Sequence, residues 1–299
     1  MPVVLRQPLT SFPDLVKRLI YSKYLLNRAR LLQQEGNELA SAEAVLAAHD
    51  SIEMLMRVVT DFLRTNQAPD FMKFWKVIKE ETGTEPPHKN AMGRLNNLRV
   101  GFKHMGNLPN PSVVTDLMPS VAAFCADVTA QYLGHDYATV SLADLVQNAA
   151  AREKVKEAET AKTAGNIKDA ILALRMAFDT LHNEARSRHK SILIQDIVFA
   201  TILTPRLDAT FEPLVKTLKL DKLLFNVHQL VETMNGMLLG IEPARFRRFS
   251  EITPFRSYLG LQRKVQYLWR PKCPELRPED FDFCHQFVID FALRLVSSR

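Results

Sequence analysis

At 299 residues with 46% hydrophobic content, the chain is long enough for one large core or two ordinary ones, which argues against a disordered polypeptide. Ten glycines, scarce Val-Ile-Thr alternation and long stretches rich in Ala, Leu, Glu, Lys, Gln and Met favour helices over sheet. The formal charge of +6 arises entirely after residue 150, because residues 1–150 hold 15 basic and 15 acidic side chains and the rest hold 24 and 18.

The opening M-P-V-V-L-R-Q-P-L-T-S-F-P-D lacks the apolar run of a signal peptide, and no later segment strings together about 18 apolar residues. A soluble, cytoplasmic chain with no membrane partner is therefore expected. Cys125, Cys273 and Cys284 form no C-x-x-C pair and have no histidine cluster nearby, so they read as buried apolar thiols, and no metal or cofactor is expected.

In chain order, helical spacing first covers Asp14 to Glu35. It is clearest from Val45 to Leu63, where Val45, Ala48, Ile52, Leu55, Met56, Val59 and Leu63 recur at steps of three and four. His49 falls among Ala47, Ala48 and Ile52 and reads as a hydrogen-bonded core histidine. A helix over Asp70 to Thr82 follows; Pro86 and Pro87 mark a turn, and the next helix runs from Pro87 to Lys103. The stretch A-F-C-A-D-V-T-A-Q-Y-L at 123–133 closes the first half. A boundary is expected between Gly134 and Ser141, with S-L-A-D capping a new helix.

The second half repeats the order. Ile167, Ala170, Ile171, Leu174, Ala177, Phe178 and Leu181 match the spacing of the Val45–Leu63 helix, and each run follows a Gly-Asn pair, at 36 and at 165. Helical stretches over Pro205 to Leu239 and Arg277 to Val296 complete the chain, and D-F-C-H-Q-F-V-I-D-F-A-L at 282–293 aligns with 123–133 through Phe-Cys. The expected architecture is all-α: two helical bundles, residues 1–137 and 138–299, related by a diverged internal duplication.

Two arginine–histidine pairs stand out. L-R-V-G-F-K-H-M-G-N-L-P at 98–109 places Arg99 five residues before His104, and Arg175 precedes His182 by seven. With 22 arginines and eight histidines, roughly two pairs at such spacings arise by chance, so context must separate them. Arg175, Asp179 and His182 lie opposite Leu174, Phe178 and Leu181 and read as a solvated helix face. Arg99 and His104 sit at the end of a penultimate helix, before the last one.

That arrangement resembles the HEPN superfamily of helical domains, whose motif is an arginine, four to six residues, then a histidine. The resemblance covers roughly residues 12–134, and the second half looks like a diverged copy without the motif. It implies a metal-independent endoribonuclease of bacterial toxin or antiphage defence type, with Arg99 and His104 catalytic. Because two protomers of that family line one cleft with their motifs, it also implies a homodimer through the first half, or a pseudo-dimer of the two halves with one site. His104 would move the proton of a 2′-hydroxyl or leaving oxygen, Arg99 would hold the phosphate, and Lys103 would add a contact. The sequence departs from the pattern at Val100, where a polar residue is usual. In an ideal helix Arg99 and His104 diverge by about 140°, so only an end loosened at Gly101 and Gly106 would bring them together. The same residues also suit a plain helix C-terminus, where cations such as Lys103 and His104 meet open carbonyls.

Between Glu242 and Lys272 lie eight basic residues (Arg245, Arg247, Arg248, Arg256, Arg263, Lys264, Arg270, Lys272) and two acidic ones, a surplus equal to the net charge of the protein. The arginines alternate with aromatics, as in R-F-R-R-F-S-E-I-T-P-F-R-S-Y. This suits RNA or another polyanion, and equally a row of core aromatics carrying solvated arginines. No phosphate-cradling glycine loop, dinucleotide fingerprint or nucleophile elbow is present in the sequence, which disfavours nucleotide hydrolysis, dinucleotide chemistry and an α/β-hydrolase. Two functions follow: the ribonuclease, or a non-catalytic HEPN-like interaction module that binds nucleic acid or a partner protein.

Overall fold

The computed structural model describes residues 8–65, 70–188, 233–234, 236–237, 240–259, 264–269 and 275–297. Among them the protein is all-α apart from one two-stranded hairpin. The expected helix over 205–239 lies almost wholly outside the described residues, as do Arg263, Arg270, Lys272 and Cys273. The chain divides into two compact units, Met1–Asp144 and Leu145–Arg299.

In the first unit α1 (Pro13–Gln34) and α2 (Glu38–Phe62) form a helical hairpin. Gly36 turns the chain at φ +70, and the Asn37 side chain then caps α2 by accepting from the Ala40 N–H at 2.8 Å. Small residues let the two helices approach closely. Ser22 and Ser51 are fully buried, and each donates its hydroxyl to the other's carbonyl, at 2.9 and 2.7 Å, beside buried Ala44 and Ala48. Helix α3 (Phe74–Thr82) buries Phe74, Trp75 and Ile78, and α4 (Lys89–Met105) packs on α2 through Met92 and Leu95.

Helix α5 (Pro111–Val128) begins with Asn110 accepting from the Ser112 N–H and with Pro111 in the first turn, a favoured start. Together with the π turn Thr129–Leu133 it is long and apolar enough to span a membrane, yet Val114, Leu117, Val121, Phe124 and Val128 are core residues packed in the helical unit. The connector beyond it is tied to α1, because the Lys23 ammonium donates to the carbonyls of Tyr137, Ala138 and Val140 at 3.1, 2.8 and 2.6 Å. That anchorage carries the first unit on to Asp144.

The S-L-A-D stretch forms a short 3-10 turn over Leu142–Leu145, in which the Ser141 hydroxyl accepts from the Ala143 N–H. The helix starts later. Asn148 caps α6 (Ala149–Thr163) by accepting from the Ala151 N–H at 2.9 Å. Gly165 turns at φ +82 into α7 (Ile167–Arg188), and the Asn166 carbonyl accepts from Ala170 much as the Asn37 carbonyl accepts from Ser41.

Helix α8 (Pro243–Ile252), the antiparallel strands β1 (Phe255–Leu259) and β2 (Lys264–Leu268), and α9 (Pro278–Ser297) complete the second unit. Its centre is aromatic: the Phe178 ring lies 5.1 Å from Phe249 and from Phe291, and Phe249 stacks on Phe287 at 4.3 Å.

Candidate functional site at the end of the fourth helix

Helix α4 stays helical through Met105, and Gly106 closes it in the left-handed region at φ +71. The Gly106 N–H donates to the Phe102 carbonyl and the Asn107 N–H reaches back to Gly101, so the end is capped rather than unwound. Arg99 and His104 therefore leave the same regular helix about 140° apart, and no hydrogen bond joins them within the chain. His104 and Lys103 are exposed, and Arg99 is half-buried. The Arg99 Nε is itself fully buried with no hydrogen-bond partner. Beyond His104, Met105 is 68% exposed and Leu108 46%, giving the cationic helix end an apolar tip.

The second arginine–histidine pair is not on a solvated face. Arg175, Asp179 and His182 are 2%, 6% and 7% exposed. Arg175 Nε lies 3.0 Å from Asp179 Oδ1, the His182 ring stacks on Phe178, and the Tyr267 hydroxyl donates to Asp179 Oδ2 at 2.9 Å. Burial first, then the Asp179 charge, raise the Tyr267 hydroxyl well above its ordinary range. The polar stripe of α7 is covered by a tyrosine delivered from β2. Period alone cannot show this, because the covering residue is 88 positions away.

The basic segment divides in the same way. Phe246 and Phe249 are core residues rather than exposed stacking platforms. Arg245 is committed to Asp290 at 2.7 Å, and Arg256 is half-buried. Arg247 and Arg248 are exposed, with the Arg248 guanidinium 4.1 Å above the Phe283 ring. Lys264 lies on β2.

A grouping not singled out from sequence lies on α2. His49 is 1% exposed, and its Nε2 meets Asn96 Oδ1 of α4 at 3.2 Å while its ring stacks on Phe71 at 4.0 Å. Its Nδ1 faces the carboxylates of Asp50 and Glu53. The signal in the sequence was H-D-S-I-E at 49–53, since residues four apart share a helix face.

Comparison with protein-family models, with curated proteins and with solved structures finds no match to this chain.

Proposed function

We propose that the chain is a HEPN-like helical interaction module that docks RNA at the exposed end of α4, in the cytoplasm, and that its two units descend from one duplicated bundle. The capped α4 terminus carries this reading. It offers the Lys103 ammonium and the His104 ring to solvent for phosphate, while Arg99 departs in another direction, so one copy does not present an acid–base pair and a phosphate clamp to the same atom. In the second unit, by itself, Arg247 and Arg248 are exposed cations that suit a polyanion.

A second reading, the metal-independent endoribonuclease of toxin or defence type, is favoured by one observation. Half-buried Arg99 and exposed His104 share the end of one helix, and a second copy would bring its own His104 to the guanidinium, as protomers of the resembled family do. The reaction would be transesterification by the 2′-hydroxyl, with no cofactor.

One experiment separates the two. A single-stranded RNA is titrated with the pure protein in EDTA at two salt concentrations, and the RNA is then run on a gel. The module reading expects binding that weakens with salt and with Lys103→Ala plus His104→Ala, and RNA that stays intact. Cleavage abolished by His104→Ala or Arg99→Ala establishes the ribonuclease instead, and RNA that neither binds nor is cut defeats both.

A further inference from the structure

We propose that His49, Asp50 and Glu53 form a binding site for a divalent transition-metal ion of the zinc class, independent of the RNA reading. The three residues offer one ligand atom each, all within 4.8 Å of one another. Acidic groups alone would say little; the histidine decides the matter. His49 is 1% exposed, and its Nδ1 is buried without a hydrogen-bond partner, 3.8 Å from Asp50 Oδ1 and 3.9 Å from Glu53 Oε2. Those separations are too long for hydrogen bonds.

The other ring nitrogen, Nε2, lies 3.2 Å from Asn96 Oδ1, an acceptor; in the tautomer that donates to it, the Nδ1 lone pair faces two carboxylates. In that tautomer three electron-pair donors converge, an arrangement that a cation stabilises. A ring held by a carbonyl on its far nitrogen is the usual support of a metal-ligating histidine. The Phe71 stack fixes the ring plane further.

At ordinary zinc bond lengths, tetrahedral ligand atoms stand about 3.4 Å apart; here the carboxylate oxygens lie 3.8 and 3.9 Å from Nδ1, and all three atoms lie within 4.8 Å of one another. Asp50 and Glu53 are exposed enough to close that gap, with side chains 61% and 31% accessible. One imidazole with two carboxylates suits zinc, manganese or iron(II) better than the all-oxygen preference of calcium or magnesium. Three protein ligands leave a coordination position toward solvent. Arg57 grips Glu53 Oε1 at 2.7 Å, which orients Oε2 toward His49 and places a competing positive charge beside the ion.

The test uses the full chain, freed of any tag and of bound metal by chelation. Zn²⁺ is titrated calorimetrically, and Co²⁺ is titrated by the absorption bands of its ligand field. One saturable ion per chain is expected, with affinity falling at least tenfold in Asp50→Asn plus Glu53→Gln. These substitutions lie on partly exposed side chains and keep the fold, as circular dichroism would verify. Asn96→Leu, which removes the support of Nε2, lowers affinity roughly 10- to 100-fold. Absence of saturable binding, or a carboxylate double variant that binds as tightly as the parent, overturns the site.

Discussion

Arg175 is buried at 2% exposure, and Asp179 is the carboxylate that makes this tolerable. Losing one member of a buried ion pair leaves desolvated charge less well compensated, so Asp179→Ala is expected to destabilise the protein by about 3–5 kcal/mol in urea unfolding. Tyr267→Phe removes one hydrogen bond to the same carboxylate and costs about 1–2 kcal/mol. Equal losses in the two variants would mean that the ion pair adds little beyond the tyrosine hydrogen bond. The helical spacing of Arg175, Asp179 and His182 was legible in the sequence, and their burial was not. A polar stripe looks solvated until a distant element covers it. His49 is the reverse case: its neighbours marked it as a core residue, and the partner of its Nε2, Asn96, comes from another helix.

The end of α4 turns on two glycines with opposite roles. Gly106 holds φ +71, and a Cβ there would meet nothing within 4 Å, so the whole cost of Gly106→Ala is backbone strain of about 1 kcal/mol. Gly101 sits inside the helix, where a Cβ would just reach Asn107 Cβ at 4.0 Å, and Gly101→Ala should stabilise by about 0.5–1 kcal/mol. Thermal melts of both variants check the pair; a Gly101→Ala variant no more stable than the parent would mean that the helix end is unwound in solution. Most helices were legible from local periodicity and caps, α7 among them. The hairpin Phe255–Leu268 was not. F-R-S-Y-L and K-V-Q-Y-L do alternate, but they are short and embedded in a basic stretch, and strand pairing is a long-range choice that a five-residue pattern does not announce.

Each of the two units encloses a thiol that is fully buried, Cys125 in the first and Cys284 in the second. Burial pushes the Cys125 thiol up to about 12 and raises Cys284 further. A thiol whose folded value lies above its unfolded value favours the folded state fully below the unfolded value, near 9, and loses that advantage as pH rises through the folded one. The urea midpoint should therefore be flat from pH 7 to 8 and fall from about pH 9 to 12, and Cys125→Ala should remove part of the fall. A midpoint unchanged at pH 11 would mean that the thiols are solvated.

Across the whole molecule, the sequence by itself determined the helical class, most helix positions and the glycine that ends α4. These depend on residues within a turn or two of one another, through side-chain period, capping side chains and the freedom of glycine at positive φ. Only the tertiary structure decided which polar groups are enclosed, that Arg175 and Asp179 pair beneath Tyr267, that Phe246 and Phe249 are core, and that His49 turns a bare nitrogen toward two carboxylates. Burial and hydrogen-bond partners are set by whatever covers a side chain, and here the covering groups lie 47 and 88 residues away along the chain.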